Sequence, residues 1–288
     1  MRIALLGPVR VQAAGVPLEV RGLRARRAIA LLALNAGRPV ALTQLVDTLW
    51  PEDPPATFRE QVYNCVAGLR RMLGTRPQPE VDVVRSDGGY ALTIAADRVD
   101  ALVFEAALRN AAARATAGDR AGATTLLRSG LRLWRGEALE GVVDGPLGLA
   151  ATRLDRLRGE TWERLFDLEM GVRRDPGLIA EMSAVAERYP LRERLTCQLG
   201  TVLWEAGRAA HALEVCREHR RRVRAEFGVE TGPAVRDLEN RIRGGARPAA
   251  GVDRLIAEVE VLLTEVRGLL TATGAVNCPA CRPSVRSA

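Results

Sequence analysis

The sequence predicts a mostly helical protein with a small α+β module at its front. Three observations carry this. Residues 2–20 (RIALLGPVRVQAAGVPLEV) alternate short apolar runs with Gly and Pro, the texture of two or three short antiparallel strands. Asp87-Gly88, set in VDVVRSDGGYALTI, is a hairpin turn flanked by apolar alternation. From Val99 onward, apolar residues recur at helical spacing through seven segments separated by short Gly, Pro or Asp breaks.

Each element of the front module has its own signal. Leu23 to Ala36 has helical periodicity and is closed by Gly37. Its start carries Arg24, Arg26 and Arg27, cations that oppose the helix dipole there. They either lie over the core or meet a phosphate at the free N–H groups. Thr43 is a candidate N-cap for a short helix that stops at Pro51. The stretch Pro54 to Gly74 is an amphipathic helix. Phe58, Val62, Cys65, Val66, Leu69, Met72 and Leu73 share one face. Arg59, Tyr63, Asn64, Ala67, Gly68 and Arg71 take the other. Thr57 and Glu60 have capping-box spacing, with Pro55 a competing start. A polar, proline-containing loop then leads to the hairpin, with Arg85 just before its tip and Tyr90 just after.

Composition bounds the function. The chain has 288 residues, 47% hydrophobic and 27% charged, which describes an ordered globular protein with room for two domains. A net charge of +7 favours a polyanionic partner. All 42 basic residues are arginine, so a Schiff-base lysine and a nucleotide-binding P-loop lysine are both impossible. With two histidines, His211 and His219, most acid–base catalysis lacks its usual residue, and no catalytic residue or cofactor site is expected. There is no signal-like or membrane-spanning apolar run, and five cysteines make no secreted disulfide framework. A cytoplasmic protein without a membrane partner is expected.

The order sheet, helix, helix, long amphipathic helix, hairpin is that of a response-regulator-like winged helix-turn-helix, whose last helix enters the major groove while the wing touches the backbone. LLGPVRV, ALTQLVDTLWPEDPPAT, VYNCVAGLRRMLG and DGGYAL resemble the DNA-binding domain of the antibiotic regulatory proteins of actinobacteria, the SARP family. The likeness continues through LRLWRGEALEGV and YPLRERLTCQLGTVLWEAGRAAHALEVCREHRRRVRAEFGVETGPAVRDLENRI. That stretch resembles the all-α, TPR-like bacterial transcriptional activation domain of the same regulators. It departs on the outer face of the third helix, where Tyr63, Asn64, Ala67 and Gly68 replace polar or basic residues. With no Gly-x-x-x-x-Gly-Lys motif, the resemblance is to the small two-domain type. It implies a transcriptional activator of a secondary-metabolite cluster that binds direct repeats in promoters, self-associates and contacts RNA polymerase or its sigma subunit. The rival is a helical-repeat interaction adaptor whose winged helix binds a protein.

The expected organisation is a winged helix over 1–96, a helical domain over 97–245, a linker over 246–251, an amphipathic helix over 252–273 and a tail over 274–288. Within the helical part, the links at 117–120 and 206–209 repeat weakly, as in degenerate tetratricopeptide hairpins. The apolar stripe of 252–273 either self-associates, as in a dimer, or docks on its own chain. Cys278 and Cys281 have metal or redox spacing but stand alone, a weak zinc candidate. For DNA, Arg59, Gln61, Tyr63 and Asn64 are the base-reading candidates. Arg24, Arg26, Arg27, Thr57, Arg70, Arg71 and Arg85 are the phosphate candidates, although Arg70 adjoins Leu69 and has the alternative of packing inside the protein. Arg220, Arg221 and Arg222 with His219 either touch an acidic partner or form a solvated helix face.

Overall fold

A computed structural model describes residues 1–74, 81–86, 88–173 and 175–245. The chain divides into two units, Met1–Asp175 and the residues from Pro176 on. The first opens with an antiparallel sheet of β1 (Arg2–Ala4), β2 (Arg10–Ala13) and β3 (Val16–Leu18). Alternation along these strands turns Ile3, Val11 and Ala13 inward. Then come α1 (Leu23–Leu34), β4 (Val40–Ala41), α2 (Leu42–Leu49) and α3 (Phe58–Leu73). The hairpin of β5 (Asp82–Ser86) and β6 (Gly89–Thr93) closes the module, with β4 added to its edge in the order β4-β6-β5. This is the winged helix-turn-helix order.

Two glycines set the wing. Gly88 takes φ +74°, the left-handed conformation that a two-residue hairpin turn requires. Gly89 lies directly against β4, and a Cβ there would run into the Val40 carbonyl. The second glycine of Asp-Gly-Gly is therefore a packing requirement, which a reading of the turn alone does not supply. The helix caps also differ from expectation. Thr43 lies inside α2, and Ala41 stands at the cap, its N–H donating to Gln44 Oε1 at 3.3 Å. Helix α1 ends at Leu34 with Asn35 as its cap, and Gly37 follows at φ +73°.

The core of the module does not stop at residue 96. Helices α4 (Asp100–Thr116), α5 (Arg120–Leu131) and α6 (Gly145–Glu169) follow. Phe104, Leu139 and Leu154 lie in the same apolar cluster as Ile29, Leu45, Val66 and Leu92. The change of texture near residue 97 is a change of secondary structure, not a gap in packing. Hydrogen bonds fasten the same joint. Asp100 accepts from the N–H groups of Leu5 at 2.6 Å and Leu6 at 3.2 Å, and from Arg135 at 2.8 Å. Arg135 N–H donates to the Leu6 carbonyl and Leu139 N–H to that of Leu5, both at 2.8 Å. Burial pushes the Asp100 carboxyl above its ordinary range, against the pull of these donors.

The second unit contains α7 (Pro176–Arg188), α8 (Glu193–Glu205), α9 (Ala209–Phe227) and α10 (Pro233–Arg243). The helical hairpins read in the sequence are α4–α5 and α8–α9, each turned by a glycine with positive φ, Gly118 at +83° and Gly207 at +78°. Gly200 lets α8 approach α10, since a Cβ would press on Leu238. His219 is buried, and its Nδ1 lies 3.0 Å from the Pro190 carbonyl and 3.1 Å from the Thr196 hydroxyl. Arg220 pairs with Glu239 at 3.4 Å, while Arg221 and Arg222 both pair with Glu218. This basic run is a paired helix face. The loop 75–80, Asp87, Arg174, the linker 246–251, the stripe 252–273 and the tail 274–288 with Cys278 and Cys281 lie outside the described residues.

Asp100→Ala leaves two buried N–H groups and Arg135 without their acceptor. It is expected to lower unfolding stability by about 1–3 kcal/mol, read by urea denaturation.

Candidate nucleic-acid interface

Helix α3 presents its two faces as the periodicity requires. Val62, Val66, Leu69 and Leu73 are buried against α1, α2 and β5. Arg59, Tyr63, Asn64, Gly68 and Arg71 are exposed, and Tyr63 keeps 61% of its surface although it is a large aromatic. An exposed tyrosine between polar neighbours is the kind of side chain that reads a surface rather than fills a core. Gly68 faces open space, with nothing within 4 Å of where a Cβ would stand. Among the described residues, no neighbouring element requires it.

The start of α3 is built differently from the expected capping box. Thr57 has φ −89° and ψ 19°, not the extended backbone that such a cap needs, and its side chain caps no N–H. Its hydroxyl instead accepts from Gln61 Nε2 at 3.1 Å. Gln61 Oε1 in turn accepts from Arg24 Nη1 at 3.1 Å, and Arg24 lies over the Trp50 ring at 5.0 Å. The chain Thr57–Gln61–Arg24–Trp50 therefore ties the start of α1 to the start of α3. Glu60, freed of any capping role, is exposed on the polar face of α3.

Of the phosphate candidates, Arg24, Arg26, Thr57, Arg71 and Arg85 are exposed. Two are not available. Arg27 is buried, its side chain 9% exposed, and it forms an ion pair with Asp144. Arg70 donates from Nε to the Val83 carbonyl at 2.6 Å, which fastens α3 to the wing. Both corrections have the same cause: a planar guanidinium beside a buried segment finds an acceptor inside the fold before it reaches solvent. Among the base candidates, Gln61 is half-buried and doubly bonded, whereas Arg59, which lies over the Phe58 ring at 5.7 Å, Tyr63 and Asn64 are exposed.

Residues 99–243 match the bacterial transcriptional activator domain. The regulatory protein DnrI of Streptomyces peucetius is 31% identical over 90% of this chain and 97% of its own length. The chain belongs to the SARP family of transcriptional regulators. The regulatory protein AfsR of Streptomyces griseus is 32% identical over 86% of the chain, which spans about a quarter (26%) of that larger relative. The solved structure of Mycobacterium tuberculosis EmbR in complex with a low-affinity phosphopeptide superposes with a TM-score of 0.77 at 28% identity, covering 92% of this chain and 70% of EmbR. Among the described residues, no helix of this SARP chain is long and apolar enough to cross a membrane, and no group of three or more His, Cys, Asp or Glu residues is placed to hold a metal.

Sequence reasoning missed three contributors to this SARP surface. The Trp50 ring supports Arg24, a contact that no local spacing signals. Gln61, a base-reading candidate, has a second part that spacing does not signal: it bonds both Thr57 and Arg24. Asp144 neutralises Arg27 from more than a hundred residues away, and no local spacing signals it.

Arg70→Ala is expected to cost about 1–2 kcal/mol in unfolding stability, whereas Arg71→Ala leaves stability within about 0.5 kcal/mol. Burial raises the Cys65 thiol to about 11 against a pull from Arg24, so it stays protonated at neutral pH. Iodoacetamide should label it slowly in the folded protein at pH 8 and faster once urea exposes it. As pH climbs from 9 toward 11, the unfolded thiol ionises first and the folded state loses this contribution.

Proposed function

We propose that this chain is a sequence-specific, DNA-binding transcriptional activator. It acts in the cytoplasm on promoters of a secondary-metabolite cluster, where two copies engage direct repeats. The observation that carries this reading is the exposed polar stripe of α3, braced to the start of α1 through Gln61 and Arg24. One helix face with a guanidinium fixed beside it is what a major groove and its flanking strand require.

In this reading Arg59 and Asn64 meet base edges, arginine suiting guanine and asparagine adenine, and each good bidentate pair contributes about 1–3 kcal/mol of discrimination. Tyr63 supplies apolar contact beside them. Glu60 disfavours a phosphate and accepts from a cytosine amino group, which adds selectivity. Arg24, Arg26, Thr57, Arg71 and Arg85 grip the strands. Residues 97–245 recruit RNA polymerase or its sigma subunit, as the match to the activator domain supports.

Gel-shift titrations on the promoters beside its own gene test this. Asn64→Ala is expected to weaken the cognate site by about 1–3 kcal/mol and leave non-specific binding unchanged. Arg26→Ala should weaken all duplexes alike and reduce the salt slope by about 1. Gly68→Ala should stabilise the protein by up to about 1 kcal/mol and yet reduce DNA affinity, because its new methyl stands between helix and groove. A chain that binds no promoter fragment at low salt ends the proposal.

A further inference from the structure

In the second unit, a cleft of about 330 Å³ lies among α7, the turn after it, α8 and α9. Both histidines of the chain line it. His219 is 4% exposed, and its Nδ1 is taken up by the Pro190 carbonyl at 3.0 Å and the Thr196 hydroxyl at 3.1 Å. Its Nε2 makes no hydrogen bond. Unlike the sealed indole nitrogens of Trp50 and Trp134, that Nε2 is not closed off from the cleft. The other groups facing this space mostly accept. Glu187 and Glu214 are exposed and, among the described residues, have no ion-pair partner. Ser183 donates to the Ile179 carbonyl at 2.9 Å, which leaves its oxygen lone pairs for the cleft. Arg221 and Arg222 also line it, but both turn to Glu218.

A nearly buried imidazole nitrogen normally finds a partner, and one left open in the wall of a cleft is a specific departure. A carbonyl only accepts, so the neutral tautomer that serves Pro190 keeps its proton on Nδ1 and offers the cleft a lone pair on Nε2. Unpaired carboxylates beside an open imidazole acceptor are complementary to a donor-rich cation. Ala186, Leu199 and Val215 line the same space, and such apolar walls suit an organic cation over a hydrated metal ion. We infer that this cleft binds a small organic amine or guanidine. Glu187 and Glu214 meet its charge, and His219 Nε2 accepts one of its N–H groups. The site is independent of the DNA reading, since every group in it belongs to the second unit.

The test is NMR of the full chain with isotope-labelled histidine rings. Agmatine and putrescine are the probes, with sodium chloride and magnesium chloride at matched ionic strength as controls. A His211→Gln variant assigns the ring signals of His219. At least one probe is expected to move the His219 Nε2 resonance saturably and to raise the unfolding temperature, as a ligand of the folded state must. Glu187→Gln combined with Glu214→Gln alters only exposed positions, so this variant should fold normally and bind the probe about tenfold more weakly. No saturable shift, an equal response to either salt, or undiminished binding in the double variant overturns the inference. A ring whose proton sits on Nε2 in the free protein also overturns it, and the ring resonances report this directly. If a capped arginine tripeptide binds and neither free cation does, the cleft belongs to a protein partner and the inference fails.

Discussion

The hydrogen bonds between the segment Leu5–Gly7 and the region around Asp100 and Arg135 hold the first unit in register. They join the segment just after β1 to the loop after α5 and to the first turn of α4. A buried carboxylate that accepts from two backbone N–H groups and a guanidinium is directional in a way that apolar packing is not. Once these bonds form, the sheet, α1 and α4 have little freedom to slide. Phe104 and Leu139 then complete a core that the winged module has begun.

This constraint bears on the polar face of α3. Helix α3 is set by its apolar contacts with α1 and α2, and at its far end by the Arg70 bond to the wing. At its near end Gln61 connects it to Arg24. Reading a groove requires side chains fixed to within a fraction of an ångström. Here that precision comes from internal partners of arginine, not from helix propensity: α3 has a glycine in its interior and no side-chain cap.

Much of this was legible in the sequence, because it rests on local patterns. The period of Val62, Val66, Leu69 and Leu73 specified the buried side of α3, and Asp87-Gly88 specified the hairpin. What was not legible depends on distant pairing. Nothing near Arg27 announces Asp144, and nothing near Arg70 announces the Val83 carbonyl, so two arginines that look like phosphate ligands in the sequence belong to the interior. The capping box at Thr57 and Glu60 failed for a different reason: Pro55 and the turn after it fix Thr57 near helical backbone angles, which turn its hydroxyl toward Gln61. A motif defined by spacing alone does not report the backbone angle it needs.

The shared core has a consequence for how such regulators diversify. A module whose apolar face is completed by Phe104, Leu139 and Leu154 is not a cassette that recombination can cut at residue 96. A break at that point would part Ile3 from Val99, which bridge across it, and would open the core that both segments fill. The compact unit to which this module belongs ends at Asp175 instead.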